Sequence, residues 1–427
     1  MARGVIWNLI GTGTLQASTF IINIAIANLL GRRVFGEYAM VQSTIVLCIS
    51  VVQWATGYTT TKYLAEFRSI DPVRAGRLLG MLAVLSGFLG SILALFLLTS
   101  APALAGKVLA NPELSTPLRI ASAAVFFGVS NVFLIGALAG LESYPSIGKA
   151  GLIATICTVT ACVVGAKTGG LVGAVTGLVI GGMIQSVTLG SFVFSETARH
   201  GIAVRIGGLR SESNLLMRYA VPVALSGLVT LPAIWLGNTL LARQQGGYDA
   251  VAVFAAANTF RIMVIFVPSI INSVSLSLLN NQRGLGNEGR FRRIFWFNVG
   301  TAGVIAASAA AVISFAGPLL LKIFGRDFAG GYPVLLVLMM ATVPESITNA
   351  MLQLVHSRER SWSVLRGVTI PAFGALVVMA WLLTPIAGAS GLAWAYLVAW
   401  AISLTSTSII VARIGIRPND DEQPTVV

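Results

Sequence analysis

The sequence predicts an all-α polytopic membrane protein of about twelve transmembrane helices. Three observations lead there. Of 427 residues, 56% are hydrophobic and only 10% charged, against about a quarter charged in an ordinary soluble domain. Mean hydropathy is +0.85, and the 45 glycines match the raised glycine content of membrane helices. The apolar stretches run about twenty residues or more, long enough to cross ~30 Å of hydrocarbon as helices. A barrel would instead alternate over segments of about 10 residues. Soluble, fibrous and disordered classes are excluded.

Breakers and charge clusters place the spans near 5–30, 37–61, 76–100, 118–139, 148–166, 170–194, 218–241, 250–278, 294–316, 332–354, 364–384 and 390–412. Arg3, an apolar run and Ala25-Ile26-Ala27 superficially resemble a signal peptide. The run exceeds the 7–15 residues of such a core and carries Asn8, Gln16 and Asn23, so it reads as a retained first helix. Lys167-Thr168-Gly169-Gly170 separates the fifth span from the sixth.

The longest internal polar loop, Glu196 to Arg218, divides the chain into two sets of six spans. The expected organisation is an N-terminal lobe at 1–195, a linker at 196–217, a C-terminal lobe at 218–412 and a tail at 413–427. An offset of 216 aligns Gly11 with Gly227, Tyr38 with Phe254, Arg74 with Arg290, Arg77 with Arg293, and Pro117 with Pro333. An even number of spans per half keeps both halves in one orientation. The repeat would then be parallel, its pseudo-two-fold axis along the membrane normal and a central cavity between the lobes.

Nineteen of the 28 basic residues fall on one side of this layout and eight on the other, with Arg261 left inside a span. Basic loops stay in the cytoplasm, so both termini are expected there, in a multi-pass protein of the inner (plasma) membrane. The net charge of +13 sits in short loops between spans, which reads as topology and not as a nucleic-acid surface. Cys48, Cys157 and Cys162 lie in apolar stretches, with neither disulfide nor zinc spacing.

Polar residues in hydrocarbon are costly, so their placement is informative. Asn8, Thr12, Gln16, Thr19 and Asn23 share one face of the first span. Asn258, Arg261, Asn272 and Ser275 share a face of the eighth, and Thr342, Glu345, Asn349 and Gln353 one of the tenth. Gln42, Gln53, Thr230 and Asn238 are thinner echoes. A single such residue reads as interhelical glue; several full stripes imply a shared wet cavity. Arg261 is the sharpest residue. Facing lipid near the midplane it would cost at least ~2.5–3.5 kcal/mol, so it must face inward. It could grip an anion, because guanidinium matches phosphate oxygens in a bidentate fork, or pair with Glu345, the acid placed within a span.

Gly173, Gly177 and Gly181, and separately Gly136 and Gly140, form small-residue ridges for close helix packing. Pro222, Pro232, Pro268, Pro344 and Pro371 fall in second-half spans, whereas the first half is expected to keep its prolines in loops. Bends should therefore concentrate in the second half. There is no GxxxxGK[ST], HExxH or serine elbow, and His200 and His356 lie on the cytoplasmic side. The longest external loops run from Ala101 to Pro117 and from Gly317 to Gly331. A cofactor, a metal and an enzymatic activity are not expected.

Two short segments carry a family likeness: Leu30-Gly31-Arg32-Arg33-Val34-Phe35-Gly36-Glu37-Tyr38, expected as an outer turn after the first span, and Ile323-Phe324-Gly325-Arg326-Asp327-Phe328 before the tenth. With the six-plus-six layout, they resemble the polysaccharide repeat-unit (O-antigen type) flippases of the multidrug/oligosaccharidyl-lipid/polysaccharide exporter (MOP) superfamily. The resemblance implies transport of a polyprenyl-diphosphate-linked oligosaccharide from the cytoplasmic to the outer leaflet by alternating access, for surface polysaccharide biosynthesis. It implies the lipid bilayer and a polysaccharide polymerase machinery as partners. Arg261 sits where related lipid II flippases carry a cavity arginine. Those relatives also have arginines within the first two spans, whereas here Arg32 and Arg33 are expected at the outer end and the first-span stripe is uncharged, which argues against lipid II itself.

The alternative within the superfamily is an ion-coupled multidrug antiporter, which needs buried acids; this chain offers Glu345 against Arg261. A membrane glycosyltransferase or polymerase would want a larger external loop. Cavity candidates are Arg261, Asn258, Asn272, Glu345, Asn349, Asn8, Gln16, Asn23, Gln42 and Gln53.

Overall fold

A computed structural model describes residues 2–204, 229–284, 288–357 and 361–415. Among them the regular structure is helical. In order these are α1 (Ala2–Gln53), a π turn (Trp54–Tyr58), α2 (Thr59–Phe67), α3 (Pro72–Ala103), a second π turn (Leu104–Val108), α4 (Ser115–Gly140) and α5 (Tyr144–Arg199). There follow α6 (Val229–Ala242), α7 (Gly247–Gly284), α8 (Glu288–Lys322), α9 (Tyr332–Ser357), α10 (Ser361–Val364), a third π turn (Leu365–Thr369) and α11 (Ile370–Gly415). Among the described residues, seven helical stretches are long and apolar enough to cross a membrane.

Two of those seven are too long for one crossing. At 56 residues, α5 would reach ~84 Å at 1.5 Å per residue, almost three times the hydrocarbon thickness. Its helix breaks at Gly170 (φ 58, ψ −136), and α11 breaks in the same way at Gly388 (φ 54, ψ −129). Neither conformation suits a residue with a Cβ. Past each break the chain returns along itself: Gly173 lies on Gly165, Gly177 on Cys162 and Gly181 on Thr158, while Gly391 lies on Leu383. The glycine ridge seen in the sequence is thus the seam of a helical hairpin. In α1 the break is at Gly31, and Phe20 before it and Phe35 after it both pack on Phe324. With α1, α5 and α11 each broken into two helices, and α3, α4, α6, α7, α8 and α9 one each, the described residues hold twelve such helical segments. The protein is polytopic.

The hairpin seam makes a stability prediction. A Cβ on Gly177 would stand 2.5 Å from the Cys162 amide nitrogen, and backbone cannot retreat as a flexible side chain can. Overpacking costs typically about 1–3 kcal/mol, so Gly177→Val should lower the thermal midpoint of the detergent-solubilised protein by at least that equivalent. Gly190→Ala, inside α5 where nothing lies within 4 Å, should leave it undiminished, since alanine is the better helix former.

Several loop expectations are corrected. Leu30–Tyr38 is not an outer turn of several residues: helix resumes at Arg32, directly after Gly31. The expected loop from Ala101 to Pro117 is largely helical, because α3 runs to Ala103 and its π turn to Val108. Likewise α8 continues to Lys322 and a 3-10 segment covers Arg326–Gly331. Continuing the helix satisfies backbone amides within the segment, which low-dielectric surroundings reward. Pro102 accordingly lies inside α3, so the first half does not confine its prolines to loops. Two of the three π turns also lie in that half, so helix irregularity is not a second-half property.

Irregularities recur along the chain. Gly246, Gly325 and Gly388 follow Gly31, Ala110 and Gly170 by 215, 215 and 218 residues, all with positive φ. Pro318 in α8 follows Pro102 in α3 by 216. These backbone features recur within two residues of the 216 offset that the side chains pointed to.

By proximity the chain forms two compact units, 1–256 with 319–331, and 257–318 with 332–427. In the first, Leu64, Ala75, Leu79, Leu82, Phe133, Ala137 and Leu189 build a core that also takes in Ile202. Asp71 caps α3 through Arg74 N (2.9 Å), with Pro72 at the first helical position. Asn131 gathers Gln185, Ser186 and the Gly182 carbonyl at 2.7–3.2 Å, tying α4 to α5. In the second unit, Phe295, Val299, Met351, Leu354 and Val368 form the core. Large apolar side chains face outward throughout, Phe315 at 92% and Ile386 at 84% exposure, as a lipid-facing surface requires.

Candidate functional site

The charged centre lies in the second unit, on α7, α9 and α11. Arg261 stands fourteen residues into α7, so ~21 Å from its start at 1.5 Å per residue. It is buried. Its guanidinium makes an ion pair with the Glu345 carboxylate of α9, itself buried. Arg261 Nε donates to Asn258 Oδ1 at 2.7 Å, one turn back on α7. The guanidinium carbon also lies 5.3 Å from the centre of the Tyr396 ring on α11, within cation–π range. Three helices therefore hold one guanidinium by charge, hydrogen bond and aromatic face.

Of the two readings open for Arg261, this arrangement is the ion pair. Its electrostatic consequence is a neutral centre: the guanidinium is already occupied by an oxyanion of its own chain. Release of Glu345, by protonation or by a competing anion, would free a cationic fork at the same place.

The remaining candidates fall into smaller groups. Asn272, also on α7, is buried and accepts from Asn298 Nδ2 of α8 at 3.0 Å. Asn349 lies one turn beyond Glu345 on α9, half-buried, and its carbonyl accepts from Gln353 Nε2 at 3.5 Å. Thr342, on the same stripe, bonds the Met339 carbonyl. In the first unit Asn23 is buried, Gln42 and Gln53 are half-buried, and Gln16 is exposed. Asn8 lies on α1, its side chain outside the described residues, as is that of Ser275. Among described residues no group of three or more His, Cys, Asp or Glu side chains converges on a metal position.

Sequence reasoning missed Tyr396 and Asn298. A lone Tyr in an apolar helix carries no signal that it will cover an arginine 135 residues earlier in the chain. Asn298 could have been found as a further amide in a span, although it belongs to no stripe.

Comparison with known proteins bears on the whole arrangement. The family described as "Polysaccharide biosynthesis protein" matches residues 1–277. A curated relative, a probable multidrug resistance protein NorM of Burkholderia mallei, is 33% identical over 112 residues, 26% of this chain and 23% of that protein's length. Among solved structures, an inward-facing multidrug resistance MATE family transporter of the MOP superfamily superposes with TM-score 0.79 at 17% identity, covering 96% of this chain and 98% of the other. A MOP superfamily transporter from Pyrococcus furiosus, described as having a binding pocket of reversed polarity, gives 0.72 at 18% identity, with 97% and 95% covered. These likenesses establish the fold. By the match over its first 277 residues, the chain belongs to the polysaccharide biosynthesis protein family.

Proposed function

We propose that the protein is a MOP-superfamily transporter of the inner (plasma) membrane, working by alternating access between the halves 1–195 and 218–412 with both termini in the cytoplasm. The observation that carries a mechanism is the buried Arg261–Glu345 pair. It is a full charge pair held inside the spans, where each partner can be released only if something else compensates the other.

For the cargo, one reading is a multidrug exporter, here taken as ion-coupled. One structural neighbour is a multidrug resistance MATE family transporter and the curated relative bears the NorM name. On this reading Glu345 is the exchangeable carboxylate, and Arg261 sets the affinity with which it takes up a coupling cation. A second reading has its own support, the family match over residues 1–277. On it the cargo is a lipid-linked oligosaccharide, whose diphosphate takes the place of Glu345 on Arg261.

One deletion strain separates the two. Loss of an exporter should raise sensitivity to cationic dyes and drugs with surface glycans intact. Loss of a flippase should strand lipid-linked oligosaccharide on the cytoplasmic leaflet and abolish one surface polysaccharide, with dye sensitivity unchanged. A strain with neither phenotype in conditions where the protein is expressed refutes both cargos.

A further inference from the structure

The two motif segments singled out in the sequence, Leu30–Tyr38 and Ile323–Phe328, pack against each other within the first unit. Asn28 Nδ2 donates to the Ile323 carbonyl at 2.7 Å. Arg32 spans two partners, its Nε reaching the Asp249 carbonyl and its Nη1 the Asp327 carbonyl, both at 3.1 Å. Nearby, Arg243 Nη1 donates to the Lys107 carbonyl at 3.1 Å and Tyr248 OH to the Leu109 carbonyl at 2.7 Å. Gly36 lies so close to Tyr248 that an added methyl would overlap its carbonyl. Behind these bonds Phe20, Phe35, Phe324 and Phe328 form one aromatic cluster, the last three almost fully buried. Deeper still, Trp235 Nε1 donates to Thr44 Oγ1 at 3.0 Å.

Apart from the Phe324–Phe328 ring pair, each of these contacts joins a residue before position 196 to one after 218. Apart from Trp235–Thr44, the polar ones run from a side chain to a main-chain carbonyl, several at helix ends where no intrahelical donor remains. The bonds of Asn28, Arg243 and Arg32 Nη1 are solvent-exposed, so water can replace the partner with little net change in free energy. The hairpin seam at Gly165 and Gly173 is the opposite kind of joint, closed backbone on backbone with no side chain to exchange.

We infer that this junction is a gate: a releasable latch of side chain-to-carbonyl bonds over an aromatic plug, closing the Gly31 end of the protein. Arg32 is its central residue because one planar guanidinium bridges two segments. Arg32→Lys loses the fork and should hold the latch only partly. The inference rests on the alternating-access reading, in which cargo leaves by this end when the halves part.

The test reads opening by thiol labelling in intact cells. The full chain, with Cys48, Cys157 and Cys162 replaced by Ser, carries the reporter Thr44→Cys, ~18 Å along the helix from Arg32 at 1.5 Å per residue. A membrane-impermeant maleimide added outside should label it slowly. Adding Arg32→Ala or Arg32→Gln should raise the rate several-fold, and Gly36→Ala should raise it too by pushing Tyr248 away. A companion protein keeping Cys162 alone, buried in the hairpin seam, should be unaffected by the same changes. An unchanged Thr44→Cys rate in both Arg32 variants overturns the gate, and so does a parallel rise at Cys162, which would mean general loosening. The exposed Glu113→Cys reports which way the Gly31 end faces. If it resists external label, the proposed orientation fails and the latch is read with reagent on the other side. If the latch opens as expected but neither cargo phenotype exists, the transport reading fails and the gate stands.

Discussion

Arg261→Ala should leave the protein poorly accumulated in the membrane and lower its thermal midpoint in detergent more than any other single change considered. The variant strands the buried Glu345 carboxylate, whose hydrogen-bond partner is Arg261. Removing one member of a buried pair costs about 3–5 kcal/mol, which at 1.4 kcal/mol per factor of ten exceeds a hundredfold in the folded-to-unfolded ratio. Glu345→Ala should be milder, because Arg261 keeps Asn258 at 2.7 Å and the face of Tyr396. Immunoblots of membranes and thermal unfolding of the purified protein measure both. Equal stability of Arg261→Ala and the parent would mean that the pair contributes nothing to holding α7 and α9 together.

The helices were legible because hydrocarbon thickness imposes a length that composition alone reveals. The break at Gly170 was legible because Lys167-Thr168-Gly169-Gly170 interrupts an apolar run, and the hairpin seam because its glycines stand four apart. Helix ends were not. Ala101 to Pro117 looks like a loop by its prolines and polar residues, yet Pro102 sits inside α3, in its last turn. Arg261 and Glu345 could be considered as a pair because they were the only two full charges placed inside spans. Tyr396 could not, since what brings it to Arg261 is the rotation of α11 about its own axis, and no residue pattern states that angle. The amide cluster around Asn131 is hidden for the same reason. The motif segments were noticed as a likeness; that they bond to each other over nearly three hundred residues is visible only in three dimensions.

The double variant Arg261→Ala/Glu345→Ala should restore protein level while transport stays lost. Removing both charges leaves no uncompensated ion, and replacing a buried pair by apolar groups is often neutral or stabilising. Stability and function are thereby separated at one site. Arg261→Lys adds the geometric control. It keeps the charge opposite Glu345, so level should hold, but an ammonium lacks the planar fork that also engages Asn258, so transport should fall only partly. On the antiport reading, Glu345→Gln should be folded and unable to couple, with dye efflux no longer responding to an imposed ion gradient. On the oligosaccharide reading the same variant should retain export, because the guanidinium is then freer to meet a diphosphate. If the double variant regains both level and transport of either cargo, the pair is a structural clasp between helices and the transport chemistry lies elsewhere in the spans.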